Sequence, residues 1–317
     1  MGRSGYVALR DSGLTPGRPD GSDNGLLAGL RPVGGHGCKC DASRAAAISA
    51  LEWRPSACQL PPWSAAGLCS ALGGRRLTLM GDSTMQQVAG ALFNEVAAGG
   101  GGCESALFFV QSDTLIGEDL GHLNRGPTWE RGAALTGADV VLVNAGLHVS
   151  GEAEFRRVLT RVAEGLANAS AFAQPPLLVW ATSLGTPPGG ALLPRAPADT
   201  PGFWDAQRRA RPAVGNGGVF NHAQLEGWDA IAREFWMRVP GASVLDLAPF
   251  WLRGDAKVKP DGSADVVHSC IPGFFREYGR MLAALLRARP SAAAGGDALA
   301  ADALLGEHWL LKSRPHQ

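Results

Sequence analysis

Ser83 is the first residue of this sequence whose type and position suggest chemistry. It stands in Gly81-Asp82-Ser83, directly after the apolar run 77–80 and before a helix-like segment over 84–96. A strand that stops in a tight turn places its hydroxyl residue at the carboxyl edge of a sheet, beside backbone N–H groups that suit a developing negative charge. Two interpretations stay open on these residues alone. Ser83 is a nucleophile, or the turn is a helix N-cap, since Asp and Ser are preferred caps.

A nucleophilic serine needs a general base and a carboxylate that orients it. The segment Asp265-Val266-Val267-His268 offers both, three residues apart. At that spacing the carboxylate can reach one imidazole nitrogen while the other faces outward. The alternative is a surface loop with an incidental Asp–His pair. Together with Ser83, the pattern predicts a triad of Ser83, His268 and Asp265.

Asn144 follows the apolar run 140–143. At the end of a central strand its amide would face the same edge as Ser83 and donate to an oxyanion, together with the Ser83 backbone N–H. The alternative is ordinary strand termination, since Asn and Gly are turn residues. His148 has no carboxylate at useful spacing, so we interpret it as a structural or substrate-contacting residue rather than as the base.

Apolar runs alternate with helical patterns along the middle of the chain, which predicts a parallel sheet covered on both faces. The predicted strands are 77–80, 106–110, 140–143, 177–180 and 244–247, and the predicted helices are 84–96, 152–166, 222–237 and 273–286. Residues 1–37 are predicted to be a disordered lead, 38–288 the catalytic domain with a loop-rich, cysteine-containing part at 38–75, and 289–317 an Ala-rich tail. The irregular stretch 184–221 is long enough to be functional or mobile.

Composition narrows the class of protein. The 317 residues are 45% hydrophobic and 18% charged, with a net charge of zero, which indicates a folded chain without an electrostatic partner such as nucleic acid or an anionic membrane. No apolar run reaches the roughly 18 residues that span a bilayer. No signal peptide is visible, so we expect any targeting segment to lie outside this sequence.

The cysteine pattern indicates which metal or redox sites to expect and whether the protein works in an oxidising compartment. No pair has Cys-x-x-Cys spacing, so neither a zinc ribbon nor a redox motif is predicted, and we expect no bound metal. Three disulfides and buried free thiols remain alternatives. The sequon Asn168-Ala169-Ser170 favours the secretory route. The six cysteines are Cys38, Cys40, Cys58, Cys69, Cys103 and Cys270.

The order Ser83, Asn144, Asp265-x-x-His268 resembles the SGNH/GDSL hydrolases. The flanks, over residues of about 38 to 286, resemble the PC-esterase family more closely, including the trichome-birefringence-like polysaccharide O-acetyltransferases and the neurexophilin-and-PC-esterase branch. The matching segments are 53–61 (WRPSACQLP), 72–77 (LGGRRL), 81–87 (GDSTMQQ), 144–148 (NAGLH, for the family's Asn-Thr-Gly-His, with one residue more) and 265–273 (DVVHSCIPG, for Asp-Cys-x-His-Trp-Cys-Leu-Pro-Gly).

The sequence also departs from the family pattern. Val266 replaces the first Cys of the last block, so one family disulfide is absent, and we expect Cys270 to pair with one of the four N-terminal cysteines. Ala181-Thr182-Ser183 stands where the plant proteins tend to have Arg-Thr-x-Ser-Pro, so the donor or acceptor contacts of the plant proteins are not carried over to these residues. The second oxyanion glycine has two candidates, Gly117 and Gly121.

The resemblance implies a three-layer α/β/α domain, SGNH-hydrolase-like, with a mostly parallel sheet. It implies that Ser83 takes an acyl group, most simply acetyl, from a co-substrate such as acetyl-CoA or an acetylated intermediate, without a bound cofactor. The acceptor would be a carbohydrate hydroxyl, and the protein a monomer of the Golgi lumen or secretory pathway. Trp129, Trp204 and His148 are the candidates for contacting the sugar.

Three alternatives to acyl transfer remain. If water replaces the sugar, the same residues make an acetyl-esterase. A glycan-binding module would keep the fold without turnover, although an intact Ser83, Asp265 and His268 argue against it. A Rossmann-like nucleotide-binding protein would carry a Gly-rich fingerprint after the first strand, where this sequence has Gly-Asp-Ser.

Overall fold

The computed structural model of the chain describes residues 51–53, 60–117, 126–168, 172, 174–184, 222–248, 250, 268–269, 275–289 and 309–311.

A five-stranded, all-parallel sheet, called here the main sheet, forms the centre of the molecule. Its strands lie in the order β3-β2-β4-β5-β6. This confirms the predicted α/β class with a parallel sheet. The strands are β2 (Leu77–Gly81), β3 (Leu107–Gln111), β4 (Val140–Val143), β5 (Leu177–Ala181) and β6 (Ala242–Leu245).

Four of the five strand predictions agree with the structure to within one residue at each end, and the last differs. Strand β6 ends at Leu245, opposite Ala181, rather than running over 244–247. The physical reason is local, because the Leu247 backbone N–H donates to the Thr182 side-chain oxygen at 2.7 Å. The apolar pattern continued past the point where backbone pairing stopped.

Helices cover both faces of the main sheet, so the domain has three layers. Helices α1 (Ala65–Leu72), α2 (Ser83–Ala98) and α6 (Phe275–Ala288) share a buried core with one face of the sheet. Helices α3 (Trp129–Thr136), α4 (Glu152–Ala167) and α5 (His222–Trp236) share a second core with the opposite face. Alternate strand residues belong to the two cores, as Leu79 and Met80 do, which follows from the two-residue period of a strand.

Two short helices, α1 and α3, were not predicted. Each begins with a side-chain cap, Ser64 accepting from the Gly67 N–H and Thr128 from the Arg131 N–H. Each ends at a left-handed glycine, Gly73 or Gly137. The capping residues were visible in the sequence, but eight-residue segments carry too little periodicity to stand out. Helix α1 also corrects the interpretation of 38–75 as loop-rich.

A second, two-stranded sheet joins distant parts of the chain. Strand β1 (Leu51–Trp53) pairs antiparallel with β7 (Trp309–Leu311), with Leu51 opposite Leu311. The tail over 289–317, left unassigned from sequence, therefore contributes a strand. No helix in the described ranges is long and apolar enough to cross a membrane.

One disulfide is present among the described residues, between Cys69 of α1 and Cys103 before β3. It confirms the disulfide interpretation for these two cysteines and rules out free thiols there. The other four, Cys38, Cys40, Cys58 and Cys270, lie outside the described residues. Because Cys69 is bonded to Cys103, it is not the partner of Cys270, and the pairing of Cys270 with one of the other three N-terminal cysteines stays a prediction.

Candidate active site

The site is built at the carboxyl edge of the main sheet, meaning the edge formed by the carboxyl ends of its strands. From β2 the chain goes to β3 on one side and later to β4 on the other, so the connections diverge between β2 and β4. In open α/β sheets, ligands bind at the carboxyl edge at such a switch point. Ser83 follows β2 and Asn144 follows β4, so both predicted site residues lie there.

The turn at Gly81-Asp82-Ser83 settles which residue caps helix α2. Asp82 is the N-cap, and its side chain accepts from the Thr84 backbone N–H at 2.8 Å and the Thr84 hydroxyl at 2.7 Å. Ser83 is the first helical residue, so its side chain is not needed as a cap. Gly81 is required by close packing, because a Cβ there would lie 3.0 Å from the Asn144 carbonyl oxygen and 2.8 Å from the Met85 Cβ.

Ser83 and His268 meet at this edge. His268 Nε2 lies 2.8 Å from Ser83 Oγ, although the two residues are 185 positions apart in the chain. His268 is 9% exposed and Ser83 is half-buried. With the proton on the other ring nitrogen, Nε2 accepts from the Ser83 hydroxyl, which is the geometry of a base activating a serine. Asp265, the predicted orienting carboxylate, lies outside the described residues.

Asn144 follows β4 and is buried at the same carboxyl edge. Its backbone N–H continues the ladder by donating to the Met80 carbonyl at 3.1 Å. Its side-chain Nδ2 donates to the Ala181 carbonyl at 2.8 Å, which fixes the amide against the end of β5. An amide nitrogen carries two hydrogens, so one remains for a second acceptor such as an oxyanion.

Sequence reasoning missed the polar residues that follow β3. Ser112, Asp113 and Thr114 are buried at the edge, next to the turn that carries Ser83. The Ser112 backbone N–H donates to the Gly81 carbonyl at 2.9 Å, and its hydroxyl donates to the Pro127 carbonyl at 2.8 Å. A run of four polar residues, 111–114 (QSDT), directly after the predicted strand 106–110 was the available signal.

The second oxyanion glycine stays unassigned. Gly117 is exposed, and a Cβ there would lie 3.0 Å from the Thr128 side chain before α3. Gly121 lies outside the described residues. Neither observation supports one candidate over the other.

The three residues predicted to contact the sugar differ in where they lie in the structure. Trp129 is fully buried and stacks on Phe172 with the ring centroids 5.5 Å apart, so the prediction that it contacts the sugar is wrong. The reason is that it begins α3 and packs into the second core. His148 is half-buried in the turn after β4, at the carboxyl edge. Trp204 lies outside the described residues.

Asp229, a buried acidic residue of α5, contacts the chain just after the end of β5. Asp229 of α5 accepts from the Ser183 backbone N–H at 2.9 Å and from its hydroxyl at 3.1 Å. Burial raises the pKa of Asp229 to about 7, although the Ser183 hydrogen bonds and Arg233 oppose the rise. Ser183, where the sequence departs from the plant pattern, therefore ties β5 to α5.

Neither the protein-family models nor the curated proteins include a match to this chain. Within the described residues, no group of three His, Cys, Asp or Glu side chains is placed to hold a metal ion. The chemistry of the site depends on Ser83, His268 and Asn144.

Proposed function

We propose that this chain is a serine-dependent acyltransferase of the SGNH/PC-esterase type. The observation that carries the proposal is the 2.8 Å contact between Ser83 Oγ and His268 Nε2 at the switch point of the main sheet. The order of the sequence blocks, the first-turn position of Ser83 on α2 and the buried Asn144 amide support it.

The proposed reaction begins with acylation of the serine. Ser83 Oγ attacks the carbonyl carbon of the acyl donor while its proton passes to His268 Nε2. The Ser83 N–H, which has no acceptor within the helix because it lies in the first turn, and the Asn144 amide would hold the oxyanion. The donor's leaving group then departs with the proton from His268, and an acyl ester on Ser83 remains.

Deacylation decides between transfer and hydrolysis. A sugar hydroxyl attacks the acyl-serine as His268 takes its proton, and Ser83 Oγ recovers that proton when it leaves. We propose acetyl as the acyl group and a carbohydrate hydroxyl as the acceptor because the PC-esterase resemblance implies both. Attack by water at the same step would make the protein an acetyl-esterase.

A secretory location is part of the proposal. The Cys69–Cys103 disulfide supports it, because disulfides persist in oxidising compartments and are rare in the cytosol. The Golgi lumen is the compartment that the resemblance implies.

A fluorophosphonate probe tests the nucleophile directly. We expect the probe to label the wild type and Ser83→Ala to abolish labelling, with a loss of about 10⁴-fold or more in any acyl-transfer rate. Ser150→Ala is a matched control, because this exposed serine follows β4 and hydrogen-bonds Glu154 instead. An unlabelled wild type would contradict the proposal and favour a glycan-binding module.

A second experiment separates transfer from hydrolysis. The protein is incubated with an acetyl donor and a polysaccharide, and acetyl esters on the glycan are measured beside free acetate. Glycan acetylation that is lost in Ser83→Ala would support the transferase. Free acetate alone would show an esterase.

A further inference from the structure

The side chain of Gln87 joins the helix of the nucleophile to the segment of the base. Gln87 is 1% exposed and lies on α2. Its Nε2 donates to the Ser269 carbonyl at 3.0 Å, and its Oε1 accepts from the Ser269 backbone N–H at 2.9 Å. The backbone N–H and C=O of Ser269 are therefore both hydrogen-bonded by one side chain, which is 182 positions away in the chain.

The contact lies next to both reacting groups. Ser83 and Gln87 are four residues apart on one helix, so their side chains lie on the same face, one turn apart. Ser269 directly follows His268. One rigid turn of α2 therefore presents the nucleophile and grips the backbone that carries the imidazole.

The chemistry of the side chain suits this task. Only a carboxamide of this length offers one acceptor and one donor that match the N–H and C=O of a single residue. Two hydrogen bonds define the rotation of that backbone as well as its distance, whereas one would leave a pivot. Because Gln87 is buried, water does not compete for either bond.

We propose that Gln87 is a positioning residue that holds His268 in line with Ser83 Oγ. The inference rests on the proposed function and deepens it. Ser83 provides the nucleophile, His268 the base, and Gln87 keeps the 2.8 Å separation between them during turnover.

The first test compares Gln87→Met with Gln86→Met, using fluorophosphonate labelling. Both replacements remove a carboxamide from the same helix, but Gln86 is half-buried and forms none of the Ser269 hydrogen bonds. We expect Gln87→Met to lower the maximal labelling rate by roughly 10- to 100-fold, since a misplacement of about 1 Å costs that much. The half-saturating probe concentration should stay unchanged, and Gln86→Met should behave as the wild type. Equal maximal rates in the two variants would overturn the inference.

The second test uses Gln87→Glu, which keeps the size and shape of the side chain, so the variant is expected to fold. In its protonated form the new carboxyl donates to the Ser269 carbonyl and accepts from its N–H, as the amide does, but the ionised form only accepts. We expect the ratio of Q87E to wild-type labelling to be near one at acid pH and to fall as pH rises. A ratio that is constant with pH would contradict the proposed hydrogen bonds.

A third measurement does not depend on activity. Hydrogen exchange in peptides spanning residues 266–271 should be faster in Gln87→Met than in the wild type and Gln86→Met. Unchanged exchange would show that Gln87 does not hold this segment. Faster exchange in a protein whose wild type takes no probe would support the contact and reject the proposed function, which keeps the two failures distinguishable.

Discussion

Three neighbouring residues have separate roles in the turn between β2 and α2. Gly81 allows β2 to lie against the end of β4, Asp82 caps the helix, and Ser83 is left to contact His268. From the sequence, capping and nucleophilic roles competed for one residue. In the structure the N-cap is Asp82, so capping does not compete with the nucleophilic role that we propose for Ser83.

The buried carboxyl of Asp229 gives a residue-level prediction about pH. Its pKa is raised from 3.8 to about 7, mainly by burial, so the native state holds a proton that the unfolded chain releases. Stability from this group is therefore complete below about pH 4 and is lost as pH rises through about 7. One pKa unit corresponds to about 1.4 kcal/mol, so the free energy of unfolding should fall by a few kcal/mol across that interval.

Asp229→Asn tests this assignment. The amide oxygen can still accept from Ser183, but the side chain no longer titrates. Urea unfolding from pH 4 to pH 8 should show that the wild type loses stability relative to the variant as pH rises. A constant difference between the two proteins would contradict the raised pKa.

Among the secondary-structure elements, helix α6 illustrates how one glycine can be required inside a helix. A Cβ at Gly279 would lie 2.2 Å from the Trp63 ring, and Trp63 is itself tied to Glu95 of α2 by its indole N–H. The indole therefore packs directly against the helix backbone. The segment that leads into α1 is docked on α6 through this contact and through Arg280, which donates to the Leu60 and Pro61 carbonyls.

A matched pair of glycine substitutions separates this packing from helix propensity. Gly279→Ala should lower the free energy of unfolding by about 1–3 kcal/mol, because the ring must move. Gly227→Ala, in α5 where nothing lies within 4 Å of the added Cβ, should raise it by about 0.5–1 kcal/mol. Chemical denaturation of both variants measures the difference. A stabilised Gly279→Ala protein would show that Trp63 yields without cost.

At the scale of the whole molecule, the disulfide and the candidate active site lie at opposite edges of the main sheet. The Cys69–Cys103 disulfide links α1 to the turn before β3, at the amino ends of the strands. It closes a loop with a sequence separation of 34, which includes β2 and the whole of α2. Ser83 and Asn144 lie at the carboxyl edge.

Because the two lie at opposite edges, we predict that the disulfide stabilises the fold without affecting the reactivity of Ser83. Replacing both Cys69 and Cys103 by Ala should lower the free energy of unfolding by about 3–4 kcal/mol, the loop-entropy value for a loop of this length. Under conditions where the variant stays folded, Ser83 labelling should proceed at the wild-type rate. Denaturant unfolding and the fluorophosphonate assay measure the two effects, and a large loss of labelling rate would mean that the disulfide also shapes the site.

The sequence by itself determined the class of fold and the strand that carries Ser83. Buried strands have continuous apolar runs, so the parallel strands were visible in the sequence. The four long helices α2, α4, α5 and α6 were also predicted, and the ends of α6 lie two residues later than predicted. Asn144 was also identified in advance, because a polar residue at the end of a buried strand stands out.

The order of the motifs predicted that Ser83 and His268 meet, and the structure places Ser83 Oγ 2.8 Å from His268 Nε2. Only the tertiary structure revealed the Gln87–Ser269 pair, because these residues are 182 positions apart and no local pattern encodes such a contact. Trp129 shows the same limit, because a tryptophan has the same local signal whether it faces a sugar or fills a core. The physical reason is that composition and periodicity report on which face of an element is apolar, whereas a site is made when several elements end at one edge.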